Sequence, residues 1–501
     1  MVKQNLYYDS VTLMKLSGRV SGMPGVTGAL VGMGTELNKG LLAGMGIMTA
    51  QAEAAGANDL LIGVCAESEE AVSGAVREIG AIMGEKGKKT GKQAERGFET
   101  IRQVAELDEG YNLAVVSVPG IYAARECKIA LNCNMNVFLF SDNVTLDEEI
   151  ELKDLAKEEG LLVMGPDCGT AIINGIPLGF ANRVRKGNIG IAAASGTGLQ
   201  HVTTLIHHLG GGVSQVIGTG GRDLSEKVAG RTMLAALDAL EADEATETVV
   251  ILSKPPAPPV AEKVLEKAKT MSKPIVLCLF GQGPMEGLGQ ISQCFDIEET
   301  AVKAVSLALG RETAFEDKFF SKDRVKEFVG RRKPGQRFVR GIFCGGTLCD
   351  ETMITFRRKG IPFYSNIPIS PDEQLADIHK SAGHTFIDMG DDYFTKGKPH
   401  PMIEPGLRNS RIIQDALEPD VAVILIDVVL GHGAHEDPAG VAVQAAEAAD
   451  RSDILWVAAV VGTEGDPQGY QTQVQKLLDA GFVVSESNVR AAALAASLVC
   501  G

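Results

Sequence analysis

One pattern recurs along this chain. A short, uninterrupted apolar run rich in Val and Ile ends in a Gly-containing turn, and an amphipathic stretch of helical period follows. Uninterrupted runs mark strands buried on both faces, and such strands occur mostly in parallel sheets covered by helices. The pattern predicts repeated βα units, hence doubly wound α/β domains that bind ligands at the carboxyl ends of their strands. The 58 glycines suit the many strand-to-helix turns this requires.

The units fall into three blocks. The first, to about residue 170, carries "VTGALVGMG" (26–34), "DLLIGVCA" (59–66), "YNLAVVSVPG" (111–120) and "MNVFLFSD" (135–142). Thr145-Leu-Asp-Glu148 reads as a capping box opening a helix that stops near Gly160. A basic run, 85–97, is expected as a solvated loop. The second block, 187–310, carries "NIGIAAAS" (188–195), "SQVIGTGG" (214–221), "TVVILSKPP" (248–256) and "KPIVLCLFG" (273–281). Residues 311–336 are charged and read as a linker. The third block, 337–501, runs from "RFVRGIFCGG" (337–346) through "HTFIDMG" (384–390), "VAVILIDVVLG" (421–431) and "DILWVAAVVG" (453–462) to "GFVVSES" (481–487).

The net charge of −16 argues against nucleic acid or an anionic membrane as a partner. The N-terminus lacks a signal-type apolar core, and no apolar run approaches the ~20 residues of a spanning helix. The nine cysteines are scattered without C-x-x-C pairs, which fits a reduced, cytoplasmic interior. Small anionic substrates remain open, held by local backbone N–H groups.

The loops after the strands hold the candidates. In "ASGTG" (194–198), Ser195, Gly196, Thr197 and Gly198 join a strand to a helix, a turn that can cradle a phosphate; no Lys follows, so it is not a Walker loop. Gly220, Gly221 and Arg222 lie in "GTGGRDLS" (218–225), with a helix expected to open at Asp223. "MGPDCGT" (164–170) offers Asp167 and Cys168, and "FCGGTLCD" (343–350) offers Gly345, Gly346 and Thr347. "DMGDDYFTKGKPHPMIEP" (388–405) packs Asp388, Asp391, Asp392, Lys396, Lys398 and His400 together. His432 and His435 lie in "GHGAH", and Thr463 in "GTEGDP". His201, His207 and His208 read as packing or surface positions on a helix. No metal site is expected, since Asp391 and Asp392 stand without further spaced ligands.

At "GPDCGT", "GNIGIAAASGTG", "GTGGRDLS", "LSKPPA", "IDMGDDYFTKGKPHPMIEPGLRN" and "VVGTEGDPQ" the chain resembles the FdrA family, whose architecture is like that of the succinyl-CoA synthetases. The resemblance implies a Rossmann-like CoA-binding-type domain over 1–170, then two flavodoxin-like doubly wound domains, α-subunit-like over 187–310 and β-subunit-like over 337–501. CoA or a nucleotide in the first domain is implied with it. Two departures stand out. The loop expected to carry the synthetases' phosphohistidine reads "LFGQGPMEGLGQISQC" (279–294), without His, and "SKPP" (253–256) replaces Glu-Ile-Gly-Gly. No ATP-grasp region is present.

The resemblance further implies a carbamoyltransferase subunit, exchanging carbamoyl phosphate and oxamate with oxalurate and phosphate in anaerobic allantoin breakdown. Two other protein subunits would take part, and a homo-oligomer is possible. Under this expectation Ser195 to Gly198 hold the phosphoryl group, Arg222 or Lys398 clamps the carboxylate, and His400 accepts the proton. Two alternatives stand beside it. One is an acyl-CoA synthetase-like ligase working with a separate ATP-grasp chain, with His432 or His435 as phosphocarrier. The other is a silent ligand-binding scaffold.

Overall fold

The computed structural model describes residues 1–499 except 5, 7, 9, 57, 58, 89–97, 99, 108 and 397. The chain forms two compact units, one of residues 1–99 with 392–404, the other of 100–391 with 405–501.

In the smaller unit the strands Val26–Met33 and Val2–Lys3 flank Leu60–Ala66, both antiparallel to it. Leu13, Leu16 and Val20 from the helix Ser10–Ser21 and Ala75 and Ile79 from the helix Glu69–Lys88 pack on this sheet. The first two apolar runs therefore do not join a parallel sheet as expected. Two short helices, Glu36–Gly44 and Ala50–Glu53, return the chain so that the second strand runs back along the first. An apolar run reports burial, not direction. The basic run begins as the end of the Glu69–Lys88 helix, and its remainder, 89–97, lies outside the described residues.

The larger unit holds three sheets. Leu113–Val116, Asn136–Leu139 and Val163–Met164 form a parallel Rossmann-like sheet of three strands. The expected 1–170 block is thus divided between the two units. The helix Leu146–Glu158 opens on the predicted capping box, with Thr145 and Glu148 satisfying each other's backbone N–H, and Gly160 ends it at φ +68°.

The second sheet contains the parallel strands Val213–Gly218, Lys186–Ala194, Thr248–Ser253, Ile275–Leu279 and Ile291–Gln293, in that spatial order. A hairpin, Thr170–Ile173 with Ile176–Gly179, extends it antiparallel beside Val213–Gly218. In the third sheet Tyr364–Ser365 and Thr385–Asp388 precede Phe338–Phe343, Val421–Val429, Leu455–Val461 and Val483–Ser485. Both reproduce the flavodoxin-like order 2-1-3-4-5, with the extra edge pieces noted. Every residue of Val421–Val429 is buried, as a doubly covered strand requires.

Residues 311–336 are no free linker. They contain the helix Lys322–Arg331, whose Phe328 is fully buried. Arg324 donates to the carbonyls of Leu478 and Phe482, and Arg332 to that of Leu498. Charge suggested solvent here, but the amphipathic helix lays one apolar side chain on the third block. Among the described residues no helix is long and apolar enough to cross a membrane.

Candidate functional site

In each flavodoxin-like half the strand order reverses beside the first strand, and that is where the chain leaves the sheet through a Gly-rich turn. Lys186–Ala194 runs into the helix Gly196–His208, and Phe338–Phe343 into the helix Gly346–Arg358. Ser195, in extended conformation, caps the first helix by accepting from Gly198 N at 3.0 Å. Its hydroxyl also lies 2.7 Å from Thr347 Oγ1, in the first turn of the second helix. The two helices thus meet tip to tip.

Glycine permits this approach. A Cβ on Gly198 would stand 2.9 Å from Thr347 Cγ2, and one on Gly345 would stand 2.7 Å from Thr197. Just before the second helix, the buried Asp427 accepts from Cys344 N and Gly345 N, each at 2.9 Å, and pairs with Arg408 at 3.4 Å. Asp427 is thereby spent on its own backbone. The first-turn N–H groups of Gly196, Thr197, Gly346 and Thr347 have no i−4 carbonyl to bond, as in any helix start. Each tip carries roughly half a positive charge.

Lys254 stands at the carboxyl end of the strand Thr248–Ser253, in the "SKPP" that departs from the resembled pattern. A Cβ on Gly346 would meet Asp388 Oδ2 at 2.5 Å and Lys254 Nζ at 2.7 Å, so the missing side chain is what leaves both groups room. Asp388 ends the strand Thr385–Asp388. Its Oδ1 accepts from Gly390 N at 2.8 Å, and Asn366 exchanges two hydrogen bonds with its backbone. Burial pushes the Asp388 carboxyl up to about 7, against the pull of Lys254, with Asp350 and Asp391 adding to the rise. Burial likewise lifts Asp350 to about 6, again opposed by Lys254. Burial acts to lower the Lys254 ammonium, but Asp350, Asp388 and Asp167 outweigh it and hold its pKa above the usual value. The site thus has one cation, two helix tips and carboxyls that titrate near neutrality.

The sequence candidates divide around this site. Ser195, Gly196, Thr197, Gly198, Gly345, Gly346 and Thr347 build its floor, and Asp167 acts on Lys254 from the rim. Gly220, at φ +89°, would place a Cβ 2.5 Å from Pro166 O, so it serves the packing of the 165–167 turn. Gly221 is exposed beside Asp167. Arg222, expected as a carboxylate clamp, is engaged by the protein itself. It pairs with Glu149 at 2.9 Å and donates to Val144 O at 2.8 Å. No helix opens at Asp223 either. The helix begins at Arg231, and the buried Asp223 carboxylate accepts from Thr232 N and Met233 N and pairs with Lys153. A carboxylate reaching forward over a turn has the same sequence look as an N-cap.

Cys168 is buried, and burial pushes its thiol up to about 12, which favours the protonated form. Thr463 is buried and donates to Arg183 O at 2.6 Å. His432 accepts at Nε2 from Arg183 Nε, far away along the chain, and His435 at Nδ1 from Asp437 N within its own loop. His201 is buried and driven down to about 3 by burial, a neutral packing residue.

The long acidic-basic loop is split. Asp388 and Asp391 stay with the cradle's unit, whereas Asp392, Lys398 and His400 belong to the unit of residues 1–99. His400 Nδ1 accepts from Met402 N, a local turn bond. The chain changes unit between Asp391 and Asp392, which no residue pattern announces. Sequence reasoning passed over Lys254 and Asp350. The signal available was a charged residue directly at, or one helical turn beyond, the carboxyl end of a buried strand.

Three family models match. "CoA-ligase" covers residues 342–498, "CoA binding domain" covers 184–280, and "AllF, heavy metal-associated domain" covers 1–98. The chain is 45% identical over its full length to YahF of Escherichia coli K12, an uncharacterized protein, spanning 98% of it. It is 28% identical over 36% of its length to succinate–CoA ligase [ADP-forming] subunit alpha 2 of Archaeoglobus fulgidus, and 29% identical over 36% to the ADP-forming sulfoacetate-CoA ligase subunit SauD of Bilophila wadsworthia. It spans 62% and 63% of those two ligase subunits. These findings overturn the expected carbamoyltransferase, because the model over residues 342–498 is a CoA-ligase and the relatives of stated activity are CoA ligases.

Residues 1–98 lack the clustered thiolates and imidazoles that hold many soft metals. They hold one cysteine, Cys65, and no histidine. Among the described residues no group of three or more His, Cys, Asp or Glu could hold a metal. Soft metals select clustered thiolate or imidazole ligands.

Proposed function

Because the chain belongs to the FdrA and succinyl-CoA synthetase-like family that includes YahF, we propose that it is the acyl-transfer subunit of a CoA ligase, working with a separate chain that supplies the ATP-grasp region. The observation that carries this reading is the meeting of two helix tips at Ser195 and Thr347 beside the cation of Lys254. Paired helix N-termini suit a small dianion, since donors fixed in advance need no reorganisation when charge develops.

The half-reaction is exchange between an acyl-CoA thioester and an acyl phosphate. A phosphate oxygen attacks the thioester carbonyl, the C–O bond forms, the C–S bond breaks, and the CoA thiolate takes a proton. In the reverse direction CoA thiolate displaces phosphate. The N–H groups of Gly196, Thr197, Gly346 and Thr347 would hold the phosphate and Lys254 would neutralise it. The buried carboxyls of Asp388 and Asp350 are placed to move the proton. No histidine of this chain is needed as phosphocarrier, which accommodates its absence from 279–294. The named ligase relatives act on succinate and sulfoacetate, so a short acid bearing a second anionic group is the substrate class proposed here.

The full chain should release CoA thiol from succinyl-CoA, or from another member of an acyl-CoA panel, only when inorganic phosphate is present. Thiol appearance would be followed colorimetrically. Gly346→Ala should reduce that release at least tenfold, because its methyl occupies the gap between Lys254 and Asp388. Thiol release that is indifferent to phosphate, or its absence across the panel, would count against the reading.

A further inference from the structure

Asp388 Oδ2 and Lys254 Nζ come from different halves of the larger unit and converge on the space that Gly346 leaves open. Each lies within 2.7 Å of that one point, so they are at most about 5 Å apart. Yet they form no ion pair among the described residues. Asp388 is nine-tenths buried, and its Oδ1 is already bonded to Gly390 N, which leaves Oδ2 facing the helix tip with no partner among the described residues. A cation and a carboxylate oxygen of a buried residue that stand this close without touching fit one oxygen atom between them. That oxygen must accept from the ammonium and donate to the carboxylate.

Among tetrahedral oxyanions this demand discriminates sharply. Hydrogen phosphate and hydrogen arsenate carry an O–H at neutral and mildly alkaline pH. Sulfate carries none, and would place a bare lone pair against the carboxylate. Resting on the phosphate-site reading above, we propose that Asp388 is a specificity-determining residue that accepts a hydrogen bond from the protonated oxygen of hydrogen phosphate. It thereby makes the site select protonated oxyanions over sulfate, while Lys254 and the two helix tips bind any oxyanion. Asp350, Asp167 and Asp391 also act on this pair, but their charge weighs alike on hydrogen phosphate and sulfate, both dianions at pH 8, so the discrimination rests on the Asp388 hydrogen bond.

The test is calorimetric titration of the full chain with sodium phosphate, arsenate and sulfate at pH 8, where the Asp388 carboxyl is ionised. Phosphate and arsenate should bind about 10- to 100-fold more tightly than sulfate, the size of a hydrogen bond to a charged group. Asp388→Asn and Asp388→Ser should bring sulfate to within about threefold of phosphate. Lys254→Met should weaken all three together. Equal binding of phosphate and sulfate by the native chain would overturn the role of Asp388 and leave the phosphate site standing. Binding of none of the three would overturn both. Selectivity that persists in both Asp388 variants would also sink the proposal.

Discussion

At the scale of single residues, the site is held together by groups that are costly to bury. Asp388 and Asp350 are carboxyls lifted to about 7 and about 6, chiefly by burial. A carboxyl whose folded-state pKa is raised favours the folded state below its unfolded value near 4 and loses that contribution as pH rises through the folded value. Above pH 7 the folded protein therefore carries an ionised, buried Asp388. Asp388→Asn should then stabilise the chain at pH 8 by about 1–3 kcal/mol, with the advantage fading toward pH 4. Urea unfolding at the two pH values measures it. A variant that is less stable at pH 8 than the native chain would show that Lys254 more than compensates the burial. The cost of keeping such a group is the stability commonly given up at sites that do chemistry.

At the scale of elements, the decisive feature is the pair of helix starts. Each is made by ordinary local means: a buried strand, a small-residue turn, and a cap. Ser195 supplies the cap to its own helix and also bonds Thr347 of the other. Ser195→Ala should therefore cost about 1–2 kcal/mol, a lost cap plus a buried hydroxyl left without its partner. A loss below about 0.5 kcal/mol in chemical unfolding would mean that the tips are held by packing alone. Phosphate affinity should fall with stability in this variant, because the cap sets where the first-turn N–H groups point. Thr197 against Gly345 and Thr347 against Gly198 complete the contact, so two of the four small residues read as a phosphate turn also serve as spacers between helices.

At the scale of the larger unit, the two flavodoxin-like halves are pinned by a buried polar joint. Asp466, after the strand Leu455–Val461, accepts from Arg183 N at 2.8 Å, Asn182 Nδ2 at 2.7 Å and Thr463 N at 2.8 Å. Gln200, one turn into the Gly196 helix, donates to Asn182 Oδ1 and to Leu430 O. The joint thus reaches the helix whose tip forms the cradle. Asp466→Ala removes the acceptor of three donors, leaving the buried Thr463 N without one while Asn182 Nδ2 keeps Leu430 O, and should cost about 2–3 kcal/mol. It should also reduce phosphate-dependent CoA release without touching the site, readable as a loss of kcat/KM in protein that remains folded by circular dichroism. Native turnover in a folded Asp466→Ala protein would separate the joint from the site. Glu351 works at a second junction, accepting from Ile297 N and Asn488 Nδ2.

The sequence by itself determined the elements, because strand burial, helical period and capping are local or nearly local properties. Each apolar run named in the second and third blocks is a strand, and the Thr145 box caps the helix it was read to cap. It also marked the Ser-Gly-Thr-Gly turn at the carboxyl end of a buried strand, and the fold sets that turn against the start of a second helix. It could not tell which way Leu60–Ala66 runs, nor that residues 392–404 leave the unit that Asp388 and Asp391 belong to, because direction and unit membership depend on contacts far apart in the chain. Arg222 looked like a ligand group, and Asp223 like the start of a helix, until the fold supplied Glu149 and Lys153. Lys254 looked like a loss from a known pattern until the fold set it beside Asp388, 134 positions away along the chain. Charge is written in the sequence. Whether a charge is spent on the protein or kept for a ligand is settled only by what the tertiary structure places within a few ångströms of it.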